Sequence, residues 1–556
     1  MEWQKFHPKL CHQGTTLNLL LKKRILKMNV QISRTKLIIL TAVFLVLANN
    51  YKFFINTIEV YPVSSGNIGF LLSTAVVFSC FLILLFSLFS SKFTLKPFLI
   101  FSVLVASLIS YFANSYSVII DDTMIQNVLE TNASESLDLM NGKLFLYLCL
   151  LGILPSWLIY KVKIIPKSIR RNLLSTLISV SIALLIIFIA LFSFSKFYTS
   201  FFREHKPLRY YTNPTYAFYS VGKYLGSRFS SHDMQLKAIG LDAKKDAESQ
   251  GRKLTIVVVG EAARADRFSL NGYERETNPL LKNEAIINFS NMYSCGTTTA
   301  ISVPCMFSYL DRNHYSDKEA KSTENILDVL THAGVKVLWR DNNSSSKSVA
   351  DRVLYEDYRN PENNKMCDGE CRDVGMLVGL QDFIDAQKKG DILIVLHQMG
   401  NHGPAYAKRY PKQFEVFTPV CQTNQLEECQ QEEIGNAYDN AILYTDYFLT
   451  QTIELLKKND GKFQPALIYM SDHGESLGEG GLYLHGMPYF MAPEAQKHVG
   501  ALMWFGESSK HDIDIEMIKK ISGNDFSHDN LFHTLLGLMQ VKTTLYEKKK
   551  DILKSF

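Results

Sequence analysis

No CxxC pair occurs among the nine cysteines of this sequence, so a structural zinc knuckle lacks its ligand spacing. Residues 1–27 lack a compact apolar stretch ending in a small-residue cleavage site, and no cleaved signal peptide is read there. Met28 is an adequate start by itself, which makes residues 1–27 either an upstream start or a dispensable extension. Gly/Ser-rich and Pro-rich low-complexity runs are missing, and no internal repeat is visible, so neither a floppy linker nor a repeat architecture is expected. A formal net charge of +5 is small for 556 residues and does not imply a nucleic-acid partner.

What the chain has in quantity is apolar sequence. Hydrophobic residues make up 47% of it, concentrated before residue 200, and a mean hydropathy of -0.00 is high for a soluble enzyme. Five runs, approximately 37–56, 67–90, 97–116, 143–160 and 173–195, approach or exceed the roughly 20 apolar residues a membrane helix needs. Any one of them would suit a buried soluble helix, but five in succession do not. Lys22, Lys23, Arg24, Lys27, Arg34 and Lys36 precede the first run; Lys92 and Lys96 separate the second from the third. Lys161, Lys163, Lys167, Arg170 and Arg171 separate the fourth from the fifth. These basic segments alternate along the chain, as the positive-inside rule requires of one cytoplasmic side. The opposite loop carries Asp121, Asp122, Glu130, Glu135 and Asp138. Five spans from a cytoplasmic N-terminus put everything after about residue 196 outside.

The cysteines agree with that topology. Cys11, Cys80 and Cys149 lie in the N-terminal or apolar part. The other six form close pairs: Cys295 with Cys305, Cys367 with Cys371, and Cys421 with Cys429. Short separations favour bonding within each pair, and three local disulfides belong in an oxidising compartment such as a periplasm. Within the acidic loop, the stretch DTMIQNVLETNASE spaces Asn127, Thr131 and Glu135 at i, i+4 and i+8, one stripe of a helix. The stripe suits a polar head group at the outer leaflet, and equally an ordinary solvated face.

Four domains are expected: a cytoplasmic segment 1–36, a five-span transmembrane domain 37–196, a connector 197–247 and a periplasmic catalytic domain 248–556. In the connector, aromatic and basic residues mix (Phe201, Phe202, Arg203, Arg209, Tyr210, Tyr211), which predicts short amphipathic helices lying on the bilayer. From Arg252 onward, 254–261, 335–341, 391–398, 465–475 and 499–506 read as buried strands, with helical candidates at 319–332 and 435–458. Near-continuous apolar strands alternating with helices predict an α/β sandwich around a largely parallel sheet.

The polar residues at the strand ends carry the chemistry. Glu261 ends the first strand, Asp472 and His473 follow the fourth, His397 ends another with His402 just beyond, and His485 follows a Gly-rich stretch. Ligands in α/β sheets gather outside the carboxyl ends of the strands. Any one of these residues alone is more often structural; together they point to a metal site, for which oxygen and imidazole ligands suit Zn²⁺ ahead of Mn²⁺. CGTTTAISVPC (295–305) supplies three hydroxyls, Thr297, Thr298 and Thr299, and spacing does not choose among them. A threonine is a poor nucleophile unless a metal lowers its pKa. WRDNNSSSK adds Asn343 and Lys347 as clamps for a phosphoryl group. His397, His402 and His485 remain open to binding an acceptor phosphate, holding a second metal or delivering a proton.

Taken together, VVVGEAARADRFSLNGY, SCGTTTAISVPCMFS, WRDNNSSSK, ECRDVGML, HQMGNHGPAY and SDHGESLGEGGLYLHGMP resemble the lipid A phosphoethanolamine transferases, the family that includes the mobile colistin-resistance enzymes. The likeness runs from about residue 37 to the end. It implies an N-terminal five-helix transmembrane domain plus a C-terminal α/β alkaline-phosphatase/sulfatase-like periplasmic domain, in the bacterial inner membrane. It also implies phosphatidylethanolamine as donor, lipid A phosphate as acceptor, and polymyxin and colistin resistance as the outcome. Thr299 matches the family's nucleophile, and Glu261, Thr299, Asp472 and His473 match its primary zinc set, one zinc tightly bound with a second in turnover left open. Asn343, Lys347, His402 and His485 match substrate or second-metal positions, and His397 stands in a motif with a less defined role. Asn127, Thr131 and Glu135 fall on the loop that meets the donor head group, and the three cysteine pairs match the family's disulfides. A short Cys367–Cys371 interval is the one departure. A bridge from Cys295 to Cys305 would hold the nucleophile's loop in place. A monomer without nucleic-acid partners is expected. Phosphoglycerol transfer on the same fold and a degenerate membrane scaffold are the competing readings; a sulfatase would need a C/S-x-P-x-R context that CGTTT lacks.

Overall fold

The computed structural model describes residues 30–130, 139–203, 205–231, 236–247 and 251–554. Backbone contacts divide the chain into one unit of Met1–Asn114 with Gly142–Tyr216 and a second of Ser115–Asn141 with Ala217–Phe556.

In the first unit, Ile68–Ser87, Leu95–Tyr116, Gly142–Lys161 and Ile169–Ser193 are long and apolar enough to cross a membrane. A fifth span forms if Arg34–Ala48 and Tyr51–Val60, bent by 59° at a short break, are taken together. That break has a chemical cause in two buried asparagines. Asn50 Nδ2 donates to the carbonyls of Leu45 (2.9 Å) and Asn213 (2.8 Å), and its Oδ1 accepts from the Asn213 amide (2.8 Å). Side chains that bond backbone in this way compete with the helical ladder. The span Gly142–Lys161 contains a π-helical turn at Leu148–Ile153, just before Pro155, whose missing N–H and bulky ring disturb the preceding turn. After the last span come Ser195–Arg203, a 3₁₀ turn Lys206–Tyr211 and Thr215–Ser231.

The second unit begins with a helix that interrupts the membrane segments in sequence, α1 (Asp122–Glu130). Its body is a seven-stranded sheet: β1 (Lys253–Gly260), β2 (Ile286–Asn288), β3 (Lys336–Asp341), β4 (Leu354–Asp357), β5 (Ile392–His397), β6 (Gln464–Ser471) and β7 (Ala501–Phe505). The order is β2-β7-β6-β1-β5-β3-β4, parallel from β6 to β4 and antiparallel at β7 and β2. Every residue of β1 and β5 is buried, as expected of a sheet covered on both faces. Alternation sorts their side chains. Val257, Val259, Leu393 and Val395 pack with α2 (Thr299–Phe307) and Leu531–Leu538 on one face. Ile256, Val258, Ile394 and Leu396 pack with α3 (Gln431–Lys457) on the other.

All three expected cysteine pairs are disulfide-bonded. Cys295 is joined to Cys305, Cys367 to Cys371, and Cys421 to Cys429. Cys305 lies within α2, so the first bond ties the loop before that helix to the helix itself. Cys429 stands just ahead of α3, and its bond to Cys421 closes a short loop at the start of that helix. Cys80 and Cys149, in the first unit, are free.

Candidate active site

Register brings the strand ends level. Val259 pairs with His397, His397 with Asp341, and Gly260 with Ser471. Glu261, Asn343, His397 and the Asp472–His473 pair therefore meet at one edge of the sheet. The turn after β5 is pressed against this edge: a Cβ on Gly400 would lie 2.8 Å from the Glu261 carbonyl oxygen, and Gly400 has φ +50°, so glycine answers both demands.

Glu261, Asp472 and His473 are fully buried, and each offers a ligand atom within 4.8 Å of the other two. Protein clamps one side of each. Asp472 Oδ1 accepts from the amides of Ala262 (3.1 Å) and His473 (2.7 Å), and Glu261 Oε2 accepts from Asn343 Nδ2 (2.8 Å). His473 Nδ1 donates to the Gly474 carbonyl at 2.9 Å, which turns Nε2 inward. The remaining oxygens, Glu261 Oε1 and Asp472 Oδ2, have no hydrogen-bond partner and lie 3.3 and 3.4 Å from His473 Nε2. Burial works against the Glu261 charge, but His473 outweighs it and holds the carboxyl well below the usual range. Burial, then Glu261, push Asp472 up to about 6. Burial also opposes a charge on His473, yet Asp472 and Glu261 carry it up to about 10. Two carboxylates and one imidazole thus crowd around a single point. Orphaned carboxylate oxygens in a dry interior are costly, and a divalent cation at their common point would pair both. The residues fit a metal.

The three threonines differ in what their hydroxyls reach. Thr297 Oγ1 donates to the Met487 carbonyl (2.7 Å), and its own carbonyl accepts from Gly486 (2.9 Å), which ties the loop carrying His485 to α2. Thr298 is the N-cap residue, with a buried hydroxyl that has no partner. Thr299 Oγ1 donates to Glu261 Oε2 (3.1 Å) and lies 3.3 Å from His473 Nε2. It also opens α2, so its hydroxyl sits at a helix N-terminus, where phosphate is favoured.

The disulfides brace the site from outside it. None of Cys295, Cys305, Cys367, Cys371, Cys421 and Cys429 belongs to the metal-type cluster of Glu261, Asp472 and His473. The bond from Cys295 to Cys305 encloses all three threonines, and both of its cysteines are buried. Its loop is held at a second point by His528, whose Nδ1 accepts from the Cys295 amide (3.1 Å). The bond from Cys421 to Cys429 works at longer range, through α3: Cys421 is buried in the core on that helix's side of the sheet, and Cys429 packs against the same core.

The other histidines surround the centre. The ring of His485 stands 4.2 Å from that of His473 and 5.6 Å from that of His402. Glu475 Oε2 accepts from His485 Nδ1 at 3.1 Å. Burial pushes His402 down to about 3, which leaves it neutral. His397 Nδ1 contacts Asp341 Oδ2 at 3.1 Å, and its Nε2 is buried without a partner. Burial lowers His397, but Asp341 more than offsets this and raises it. Lys347 is buried, with Nζ 3.5 Å from the Ser344 carbonyl, in a small cavity lined by Pro304, Ser308 and Arg352. Asn127 lies on α1, which packs against α2; a Cβ on Gly486 would come 2.8 Å from Met124 Cε of α1. Thr131 and Glu135 lie outside the described residues.

A supporting layer lies behind these residues. Asp341 orients His397 and accepts from the Asn343 amide (2.9 Å). His528 bridges two site elements, since its Nε2 donates to the Ser471 carbonyl (2.9 Å) while Nδ1 holds Cys295. Asp373 accepts from Asn342 Nδ2 (2.8 Å), the amides of Met399 (2.9 Å) and Gly400 (3.1 Å), and Gln398 Nε2 (3.3 Å). Asp341, Asp373 and Glu475 all stand inside the quoted motifs WRDNNSSSK, ECRDVGML and SDHGESLGEGG, and that was the available signal. Asp373→Ala would strand four donors, so we expect a loss of about 4 kcal/mol or more, at ~1–3 kcal/mol for each buried unsatisfied group. Asp373→Asn, which keeps an acceptor, should lose less. Thermal unfolding of the full-length chain in detergent measures both.

A sheet of this topology with a buried metal-type triad and a hydroxyl at its strand ends defines a hydrolase- or transferase-type site of the sulfatase fold. In agreement, the family model described as Sulfatase matches residues 253–541, and that described as Phosphoethanolamine transferase EptA/EptB matches residues 78–229. The chain is similar to phosphatidylethanolamine transferase Mcr-1 of Escherichia coli, 44% identical over 523 residues covering 92% of this chain and 95% of the relative. It is similar to phosphoethanolamine transferase EptA of Salmonella typhimurium, 39% identical over 546 residues, 96% and 98%. Among solved structures it resembles the integral membrane protein lipooligosaccharide phosphoethanolamine transferase A (EptA) from Neisseria meningitidis, with a TM-score of 0.90 at 33% identity, covering 95% of this chain and 99% of that one. The chain belongs to the lipid A phosphoethanolamine transferase family. It is an integral membrane transferase with a periplasmic catalytic domain.

Proposed function

We propose that the protein transfers phosphoethanolamine from phosphatidylethanolamine to a phosphate of lipid A through a covalent intermediate on Thr299. Glu261, Asp472, His473 and the Thr299 hydroxyl would hold one Zn²⁺. The observation that carries this reading is the Thr299 hydroxyl, 3.1 Å from Glu261 Oε2 and 3.3 Å from His473 Nε2, beside two buried carboxylate oxygens that lack partners. Three oxygens and one imidazole around one point match the ligand number and type of zinc. Bound there, zinc would lower the pKa of the threonine hydroxyl and polarise a phosphoryl oxygen.

Thr299 Oγ attacks the donor phosphorus and gives up its proton to a neighbouring base; the bond to the diacylglycerol oxygen breaks, and that oxygen takes the proton, so the proton count of the site is unchanged. His485 suits this shuttle, because Glu475 accepts from its Nδ1 and leaves the Nε2 lone pair to take up the threonine proton and pass it to the leaving oxygen. The phosphoryl group on Thr299 rests at the N-terminus of α2, where backbone amides and the helix dipole favour its charge. Asn343 and Lys347 are assigned to the phosphoryl oxygens, and His402 and His397 to the acceptor phosphate or a second metal. A lipid A phosphate oxygen then attacks phosphorus and releases its proton, and the Oγ–P bond breaks as Oγ takes a proton to restore the hydroxyl. Asn127, Thr131 and Glu135 are assigned to the donor head group. Support comes from α1, whose Met124 adjoins Gly486 of the His485 loop. The helices of 197–247 are taken to lie on the membrane, between a transmembrane domain 37–196 and a catalytic domain 248–556, in a monomer without nucleic-acid partners.

Each transfer adds an ammonium group to lipid A, weakening its attraction for cationic peptides, so polymyxin and colistin resistance should follow. Mass spectrometry of lipid A from expressing cells tests the proposal. The expected result is lipid A heavier by one phosphoethanolamine unit; unmodified lipid A beside a phosphoglycerol-modified glucan would overturn it.

A further inference from the structure

The first unit contains a cavity of about 740 Å³ that the transfer reaction does not use. It opens where Arg34–Ala48 and Ile169–Ser193 both pack on Ile68–Ser87 while touching one another little. One wall is a single stripe along and just before the last membrane helix: Lys167, Arg171, Ser175, Ser179, Ile182 and Ile186. Thr35 and Ile39 face it from the first helix, and Ile83 closes the back. Ile169–Ser193 leads into the periplasmic domain, so its Arg171 end is cytoplasmic. The pairing of Gln31–Ile32 with Lys163–Ile164 holds the other cytoplasmic end beside it.

Along this stripe the polar side chains follow one order, with Leu174 and Ile178 lining the cavity beside them. Two cations come first, then the hydroxyls of Ser175 and Thr35, hydrogen-bonded at 2.9 Å, then Ser179, then aliphatic side chains. At 1.5 Å per residue, Arg171 to Ser179 spans about 12 Å. That is the order of an amphiphile whose phosphate lies at the cytoplasmic surface, whose ester region lies one to two turns deeper, and whose acyl chain enters the bilayer. Lys167 and Arg171 have no acidic partner among the described residues, so the mouth of the cavity carries two uncompensated positive charges. A zwitterionic head group would bring its own ammonium to them. An anionic one would not.

We propose that this crevice is a binding site for an anionic phospholipid of the cytoplasmic leaflet, with its phosphate on Lys167 and Arg171 and one acyl chain between the first and last membrane helices. It is distinct in leaflet and head-group charge from the donor assigned above. Basic pockets between membrane helices on this side suit such head groups, and two basic side chains together are worth about 30-fold in affinity.

The test is native mass spectrometry of the full-length chain in nonionic detergent, titrated with dioleoyl phosphatidylglycerol and, separately, dioleoyl phosphatidylethanolamine. Wild type should retain one phosphatidylglycerol in preference to phosphatidylethanolamine. Lys167→Gln/Arg171→Gln should weaken the phosphatidylglycerol by about 30-fold and leave phosphatidylethanolamine unchanged. Arg170, Lys161 and Lys163 keep the loop basic, so topology should hold. Ser179→Phe, which fills the crevice with both cations intact, should also displace the lipid and provides the decisive arm if the double variant does not fold. Equal retention of the two lipids by wild type, or phosphatidylglycerol retention unaffected by either variant, would overturn the proposal and leave only annular lipid.

Discussion

Thr299→Ala is expected to abolish transfer, with turnover falling by at least about 10⁴-fold, since removal of a nucleophile from a site that acts as a unit costs that order or more. Intact-mass analysis makes the test specific. Wild-type protein incubated with phosphatidylethanolamine and no acceptor should gain the mass of one phosphoethanolamine, and Thr299→Ala should gain none. The neighbouring threonines provide the contrast. Thr297 spends its hydroxyl on the Met487 carbonyl, so Thr297→Ala should cost about 1 kcal/mol of stability, the net worth of one hydrogen bond, and still form the adduct. An adduct on Thr299→Ala as well would rule out Thr299 and return attention to Thr298, whose buried hydroxyl has no partner.

That contrast also marks where sequence reading stopped. The strands β1, β3, β5, β6 and β7 were legible because strands covered on both faces are nearly continuously apolar, whichever way they run, and the ends of β1, β5 and β6 supplied Glu261, His397 and Asp472. The two edge strands were not. Leu354–Asp357 is exposed or half-buried along its length and Ile286–Asn288 has three residues, so neither leaves a periodic signature. A single helix over 319–332 was expected; instead there are Asp317–Lys321 and Ile326–His332. Asn325 caps the second of these with a reciprocal bond to Asp328, and a capping box of polar residues is invisible to an apolar pattern. Similarly, α3 begins at Gln431, ahead of the expected 435, behind a box formed by Gln430 and Glu433. The cysteine pairs could be read because each partner is close in sequence, Cys305 to Cys295 and Cys429 to Cys421 alike. At the site, metal-type ligands could be read from residue identity and strand position. Asp373 and His528 could not, because their partners, side chains and backbone groups alike, are brought near by turns rather than by strand register. Choosing among the threonines needed either family likeness or the directions in which three adjacent hydroxyls point.

Chelation is expected to lower the melting temperature by roughly 8–16 °C, and added Zn²⁺ to restore it. The size follows from linkage: free metal at about 1,000 times Kd stabilises by ~4 kcal/mol, and each kcal/mol moves a domain of this size by ~2–4 °C. The sign follows from the site. Glu261 Oε1 and Asp472 Oδ2 are buried without hydrogen-bond partners, so the folded chain would bind a cation through groups that the unfolded chain leaves solvated and scattered. Asp472→Asn should remove the zinc response altogether, with metal content by elemental analysis falling from one per chain to background. Asn343→Ala separates ligand from support. Its Nδ2 donates to Glu261 Oε2 (2.8 Å) and the Gln398 carbonyl (2.7 Å), fixing the carboxylate from behind. Loss of such an outer partner should weaken zinc by about 10–100-fold and no further. The two variants should therefore differ in kind: Asn343→Ala shifts the zinc titration to higher concentration with the full thermal gain at saturation, whereas Asp472→Asn shows no gain at any concentration. Identical titrations for both would mean that Asp472 is not a ligand, and the triad would then have to be reassigned as an ion-pair network about His473.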